Sequence, residues 1–273
     1  MRPPLSKDTR LCMSLSGRPG TFGTRFHNHL YEQLGLDYLY KAFTTDDLPA
    51  AIGGVRALGI RGCAVSMPFK EDVIALVDEL DPSAEVIASV NTIVNDDGRL
   101  RAFNTDFIAV ATLLREHAVP TDKPVLLRGS GGMAKAVAFA LREGGFRDGT
   151  VVARNEAAGR ALAEGAGFAW VPEPADVAPG AVLVNATPIG MAGGPESGDL
   201  PFPAAAVDTA ATVFDVVALP PETPLVRRGR AAGVPVITGA EVVALQAVEQ
   251  FVLYTGVRPT DEQVAAAAAH AAG

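Results

Sequence analysis

The chain has 273 residues, 48% of them hydrophobic and 20% charged, with 28 glycines and 20 prolines. That length suits one large domain or two ordinary ones, and a formal net charge of −8 leaves no basic face for a nucleic acid. Cys12 and Cys63 fit neither a metal pattern nor a disulfide framework, and no apolar run approaches a membrane span. With no secretory leader evident, the cytoplasm is the expected compartment and a small molecule, not a membrane or nucleic acid, the expected partner.

Arg10–Ser16 reads as a first strand that runs into the turn Gly17-Arg18-Pro19-Gly20. Apolar residues at Phe26, Leu30, Tyr31 and Leu34 predict a helix over 26–34. Asp37–Phe43 alternates as a strand does, and Thr45-Asp46-Asp47 caps a helix reaching Leu58. Gly62–Ser66 is a short buried strand stopped at Met67-Pro68, and a helix is expected over Glu71–Leu80. Val90–Val94 and Leu100–Ala102 flank Asn95-Asp96-Asp97-Gly98, a hairpin by the Asp-Gly rule. Phe107–His117 is a further helix, and Val119–Pro124 reads as a boundary loop.

Beyond that loop the rhythm becomes strand, glycine turn, helix, strand, helix: Val125–Leu127, Met133–Glu143, Thr150–Ala153 and Glu156–Glu164. Strands at Ala181–Asn185, Thr212–Val216 and Val234–Ile237 continue it, which implies a parallel sheet. Glu241–Tyr254 is helical and is expected to pack back on the first domain, and the short Ala265–Ala269 tract also reads as helix.

Gly129-Ser130-Gly131-Gly132-Met133-Ala134 matches G-x-G-x-x-A. It follows an apolar strand and opens a helix, the context that makes the pattern informative. The first glycine permits the turn, the second lets backbone approach a pyrophosphate, and Ala134 allows close packing of helix on strand. Gly129, Ser130, Gly131, Gly132 and Met133 are therefore candidate cofactor contacts; a glycine turn without a ligand is the plain alternative. The second strand of this unit ends at Ala153-Arg154-Asn155, where a carboxylate would select NAD. Arg154 instead suits a 2′-phosphate and favours NADP, a solvated arginine after a strand being the plain alternative.

Three segments of the first domain gather polar residues: Ser66 to Glu71, Ser89 to Thr92, and Asn104-Thr105-Asp106. Lys70 falls beside the expected start of a helix, where the dipole disfavours a cation, and suits proton exchange. Each also has an ordinary reading: Lys70 as a surface lysine, Asp106 as N-cap of the Phe107–His117 helix, Asn91 as a strand-edge residue.

In chain order, Pro68-Phe69-Lys70-Glu71, Val90-Asn91-Thr92, Asn104-Thr105-Asp106, the glycine turn, Asn185-Ala186-Thr187 and Gln246 resemble the shikimate dehydrogenases. The likeness spans nearly the whole chain, and the wording of the first segment looks most similar to the shikimate dehydrogenase-like subgroup. The resemblance implies an α/β architecture, with an N-terminal mixed-sheet substrate domain and a Rossmann-type doubly wound NADP domain. The substrate domain would be residues 1–108 completed by 239–273, and the NADP domain residues 109–238. It further implies hydride transfer between NADP and a ring carbon of a hydroxylated cyclohexene carboxylate, as in aromatic amino acid biosynthesis. Lys70 would exchange the hydroxyl proton with Asp106 as partner, while Ser66, Asn91 and Gln246 bind substrate and Thr187 and Gly239 join the cofactor contacts. No metal is implied, and the chain would be a monomer or homodimer. Rival readings are a quinate or aminoshikimate-type dehydrogenase and a largely non-catalytic NADP-binding regulator.

Two features depart from the family pattern. Where its members carry a Ser-x-Ser carboxylate anchor, an ungapped match gives Gly23-Thr24-Arg25-Phe26, and Ala218 stands in place of a usual tyrosine. Thr21 or Thr24 could supply a hydroxyl, or Arg25 could hold the carboxylate as a bidentate fork. Among the histidines, His29 is expected to be structural, and His27, His117 and His270 to be surface groups.

Overall fold

The computed structural model describes residues 2–173 and 177–272. The chain forms two compact units, Met1–Thr105 with Ala244–Gly273, and Asp106–Val243.

The first unit opens with β1 (Arg10–Leu15), α1 (Phe22–Gln33), β2 (Tyr38–Phe43), α2 (Leu48–Ala57) and β3 (Gly62–Val65). A short 3-10 turn (Asp72–Leu76), β4 (Glu79–Leu80), α3 (Pro82–Glu85), β5 (Thr92–Asp96) and β6 (Arg99–Phe103) follow. The six strands form one mixed sheet in the order β2-β1-β3-β5-β6-β4. Parallel pairing joins β1 to β2 and β3, while β5 runs antiparallel to β3 and β6.

Both faces of this sheet are covered, so β1 alternates between two cores: Cys12 lies in one cluster, Met13 and Leu15 in the other. One core is aromatic, with Phe26, Tyr31, Tyr40, Phe251 and Tyr254. The other is aliphatic, with Leu15, Ile52, Val55 and Ile93. The hairpin turn has Asp97 at φ 52° and Gly98 at φ 93°, as the Asp-Gly signal requires.

The second unit begins in α4 (Thr105–Glu116) and continues through β7 (Val125–Arg128), α5 (Gly132–Glu143), β8 (Gly149–Val152), α6 (Glu156–Ala166) and β9 (Ala169–Val171). After it come β10 (Val182–Asn185), α7 (Ala204–Asp208), β11 (Thr212–Asp215), α8 (Pro224–Ala231) and β12 (Val236–Ile237). All six strands are parallel, in the order β12-β11-β10-β7-β8-β9. The order reverses at β7, the doubly wound arrangement that binds nucleotides beyond the strands' carboxyl ends. The chain re-enters the first unit at Ala244, within α9 (Gly239–Thr255), and ends in α10 (Asp261–Ala272). Phe251 and Tyr254 of α9 and Ala267 and Ala271 of α10 complete the aromatic core.

Several expectations are corrected. No α-helix covers Glu71–Leu80: only the 3-10 turn forms, and β4 then pairs with β6. Asp78 drives the change, its backbone N–H donating to the Leu100 carbonyl (2.9 Å) and its carboxylate accepting from the Leu100 N–H (2.7 Å). Arg56 pairs with the same carboxylate and holds it below the usual carboxylate range. The helix dipole invoked for Lys70 therefore has no full helix behind it. Asp106 is not an N-cap either, since α4 already includes Thr105 and Asp106 lies in its first turn.

Of the three histidines expected at the surface, His27 is not there: it is 1% exposed and stacks on Tyr40 at 4.4 Å. His117 and His270 are exposed, the first paired with Glu241 at 2.9 Å and the second stacked on His29 at 4.5 Å. Strand β9 and helices α3, α7 and α8 had no counterpart in the sequence reading.

Candidate active site

The parallel strands β1 and β3 end side by side, and the chain bonds across them: Ser66 N–H to the Leu15 carbonyl (2.9 Å) and Gly17 N–H to the Met67 carbonyl (3.0 Å). A cavity of about 460 Å³ opens there, lined by Ser16, Gly17, Arg18, Ser66, Met67 and Pro68. Sheet carboxyl ends are where α/β folds bind ligands. Of the sequence candidates, Ser66 lines this cavity; Arg18 and Ser16 also do, and the sequence reading passed over both. Arg25 does not line it, and sits exposed in the first turn of α1. Thr21, the N-cap residue of α1, makes no side-chain capping bond.

Lys70 is half-buried, and its carbonyl accepts from the Val90 N–H at 2.8 Å. That bond sets the Lys70 turn beside Asn91, whose N–H donates to the Phe103 carbonyl at 3.1 Å. Asn91 is 1% exposed. Its Oδ1 accepts from Thr105 N–H (2.8 Å), Thr105 Oγ1 (3.1 Å) and Thr92 Oγ1 (2.8 Å). Its Nδ2 has no hydrogen-bond partner, a costly state for a buried amide donor. The Asn91–Thr105 bonds also fix the start of α4, where the next residue is Asp106, 4% exposed.

Gln246 is half-buried on α9, whereas Gln250, one turn later, is buried. The Gln250 Nε2 donates to Thr92 Oγ1 at 3.1 Å and to the Asn91 carbonyl at 3.4 Å. The four-residue helical spacing from Gln246 was the signal for it.

In the second unit the glycine turn joins β7 to the N-terminus of α5. Gly129 has φ +128°, and a Cβ there would stand 2.6 Å from the Ala186 carbonyl oxygen, so only glycine fits. A Cβ at Gly131 or Gly132 would meet nothing within 4 Å, and both residues are exposed. The turn is thus pinned on one side and open on the other, with the N–H groups of a twelve-residue helix behind it. This fits a pyrophosphate. Ser130 and Met133 border the opening as half-buried residues, and Ala134 is fully buried beneath it.

Arg154 follows β8 with its side chain 75% exposed, 3.9 Å from Glu196. That loose pair leaves the guanidinium available to a phosphate. Thr187 donates to Asn185 Oδ1 at 2.6 Å, and Asn185 Nδ2 donates to Asp215 Oδ1 at 3.0 Å. Burial raises the Asp215 carboxyl above its usual range, against the bonds from Thr223, Val217 and Asn185. These bonds lock the loops at the sheet's carboxyl end. At Gly239 a Cβ would be 2.4 Å from the Val217 backbone, so that glycine allows α9 to begin tightly against the residues after β11.

Cys12 and Cys63 are buried thiols, each pushed up to about 12 by burial, which leaves them protonated and unreactive. Among the described residues no cluster of His, Cys, Asp or Glu could hold a metal ion, and no helix is long and apolar enough to cross a membrane.

A mixed-sheet unit with a polar site and a doubly wound unit with a dinucleotide turn define a Rossmann-type oxidoreductase. Residues 21–93 match the family model for the shikimate dehydrogenase substrate binding domain. The chain is 55% identical over 271 residues to a shikimate dehydrogenase-like protein of Haemophilus influenzae, covering 98% of each. The solved structure of a shikimate 5-dehydrogenase-like protein superposes with a TM-score of 0.96 at 55% identity, covering 99% of this chain and 100% of the other. The shikimate 5-dehydrogenase of Thermus thermophilus, solved with NADP(H) and shikimate, gives a TM-score of 0.83 at 34% identity, covering 96% and 99%. The chain belongs to the shikimate dehydrogenase family, in its shikimate dehydrogenase-like subgroup. It is an NADP-dependent oxidoreductase of that type.

Proposed function

We propose that the protein interconverts a ring hydroxyl and a ring ketone of shikimate or a closely related cyclic hydroxy acid. The observation that carries the substrate half is the Asn91 carboxamide: buried, held by three bonds to its oxygen, and left with an unused N–H donor pair. A group so fixed is preorganised for a ligand oxygen. When bound, NADP supplies or accepts the hydride.

The chain's own residues do the rest. Met1–Thr105 with Ala244–Gly273 form the substrate-binding part and Asp106–Val243 the cofactor-binding part. Asn91 donates to a ring oxygen, and Ser66 and Gln246 bind further oxygens of the acid. Lys70 takes the hydroxyl proton at Nζ during oxidation and returns it during reduction, with the Asp106 carboxylate as its partner. Gly129, Ser130, Gly131, Gly132 and Met133 hold the pyrophosphate, with Thr187 and Gly239 shaping the far side of the same site. Arg154 pairs with the 2′-phosphate and sets the preference for NADP. The carboxylate anchor is assigned to Arg25, exposed on α1, with Arg18, which lines the cavity beside Ser66, as the alternative.

The deciding experiment is a panel of shikimate, quinate and aminoshikimate, scored by kcat/KM with NADP and with NAD. Turnover of at least one acid is expected, with kcat lowered about 100-fold or more in Lys70→Ala while NADP still binds. Tight NADP binding without turnover of any acid refutes the reading. Arg25→Ala should raise KM for the acid more than Arg18→Ala does; the reverse order moves the anchor to Arg18.

A further inference from the structure

Gln250 has no part in the site just described, yet it is joined to it by an unbroken line of buried polar groups. His27, Gln250, Thr92, Asn91 and Thr105 are each 5% exposed or less. The directions of the bonds from Gln250 through Thr92 to Asn91 can be fixed. Thr105 N–H can only donate, so the Asn91 atom facing it at 2.8 Å must be the carboxamide oxygen. That oxygen also receives the Thr92 hydroxyl at 2.8 Å, so Thr92 Oγ1 is left to accept. What it accepts is the Gln250 Nε2 donor at 3.1 Å. The His27 ring lies beside the Gln250 side chain at the far end of the line. His27 is itself clamped between rings, stacked on Tyr40 at 4.4 Å and on Phe251 at 6.1 Å. Gln250 and Thr92 both donate toward Asn91, and aligned bonds of this kind reinforce one another.

We propose that Gln250 is a positioning residue: acting through Thr92, it locks the Asn91 carboxamide in the orientation that leaves only N–H donors for a ligand. The assignment rests on the reading of Asn91 as a substrate contact. It makes the site selective for an acceptor oxygen at that point, and it places the determinant on α9, far along the chain from the residue it orients.

The test uses the full-length protein with shikimate and NADP as probes, comparing the parent with Gln250→Met, Thr92→Val, their combination, and Thr92→Ser. Gln250→Met and Thr92→Val should each raise KM for shikimate about tenfold, the scale of one lost hydrogen bond, with KM for NADP unchanged. The double variant should be no worse than either single one, and Thr92→Ser should behave as the parent. Additive losses, or equal effects on both substrates, overturn the relay. A second readout needs no turnover: the Asn91 side-chain amide, followed by 15N NMR and assigned by its loss in Asn91→Asp. It should exchange slowly in the parent and broaden in Gln250→Met. An unchanged Asn91 signal in Gln250→Met overturns the proposal whatever the kinetics. A changed signal in a protein that turns over no acid leaves the relay standing and removes the substrate reading alone.

Discussion

His27 makes the protein's stability depend on pH in a way that can be worked from its surroundings. The ring is buried among Phe26, Tyr31, Tyr40, Phe251 and Tyr254, and its Nδ1 has no partner. Burial lowers its pKa from 6.5 to about 3, only partly opposed by the bond to Gln250. The facing tyrosines carry no charge that could offset a proton there, since burial raises Tyr31, Tyr40 and Tyr254 still further. The unfolded chain therefore binds a proton below pH 6.5 that the native state refuses until about pH 3. Stability is full above pH 6.5 and falls as the pH drops through that window. The loss from this residue is about 2 kcal/mol between pH 7 and pH 5 and approaches about 5 kcal/mol near pH 3. In His27→Phe, which keeps the stack on Tyr40, that component is absent. Urea unfolding at pH 7, 6 and 5 measures it as the difference between the two proteins, which cancels contributions from other groups such as Asp215. If the parent and His27→Phe lose stability in parallel over this range, His27 does not bind its proton as a buried, neutral ring must.

Three further substitutions have defined outcomes. Gly129→Ala puts a methyl group 2.6 Å from the Ala186 carbonyl oxygen at φ +128°; urea denaturation should register a loss of about 3 kcal/mol, and NADP affinity should fall with it. Arg154→Ala should weaken NADP at least about tenfold in fluorescence titration while leaving NAD and the melting temperature nearly unchanged, because its 3.9 Å surface pair with Glu196 contributes little. Asp78→Ala removes the acceptor of the Leu100 N–H and the partner of Arg56; calorimetry should show a lower melting temperature, with unaltered KM for NADP.

Much of the architecture could be read from local chemistry. Strand–helix alternation after residue 124 implies a parallel sheet whatever the side chains do, and Asp97-Gly98 can hardly be anything but a hairpin turn. Where the reading failed, a non-local bond decided the outcome. The segment Glu71–Leu80 has helical spacing, but β6 offers it an open edge that Asp78 can pair with, and Asp81-Pro82-Ser83 starts a separate helix capped by the Asp81 carboxylate. That Asp-Pro helix start was visible in the sequence and argues against a helix running through residue 80. β9 is three residues long and exists by pairing with β8, a partner that no pattern within it announces.

The site divides along the same line. The glycine turn is legible because its chemistry is backbone chemistry: a residue type, a strand before and a helix after are enough to define it. Asn91 is different, since its residue type says only that an amide is present. What gives it a defined role is which of its two ends faces the Thr105 N–H, and that is settled by residues 14 positions and, through Gln250, 159 positions away. The same holds for His27. The sequence pattern leaves it at the surface, and what buries it is the packing of α9, whose Phe251 and Tyr254 rings lie against it. A sequence can therefore nominate the groups that touch a ligand, while the bonds that orient those groups belong to the fold. The consequence for this enzyme is concrete: a substitution at position 250 should change what Asn91 can bind without touching any residue that a motif would mark.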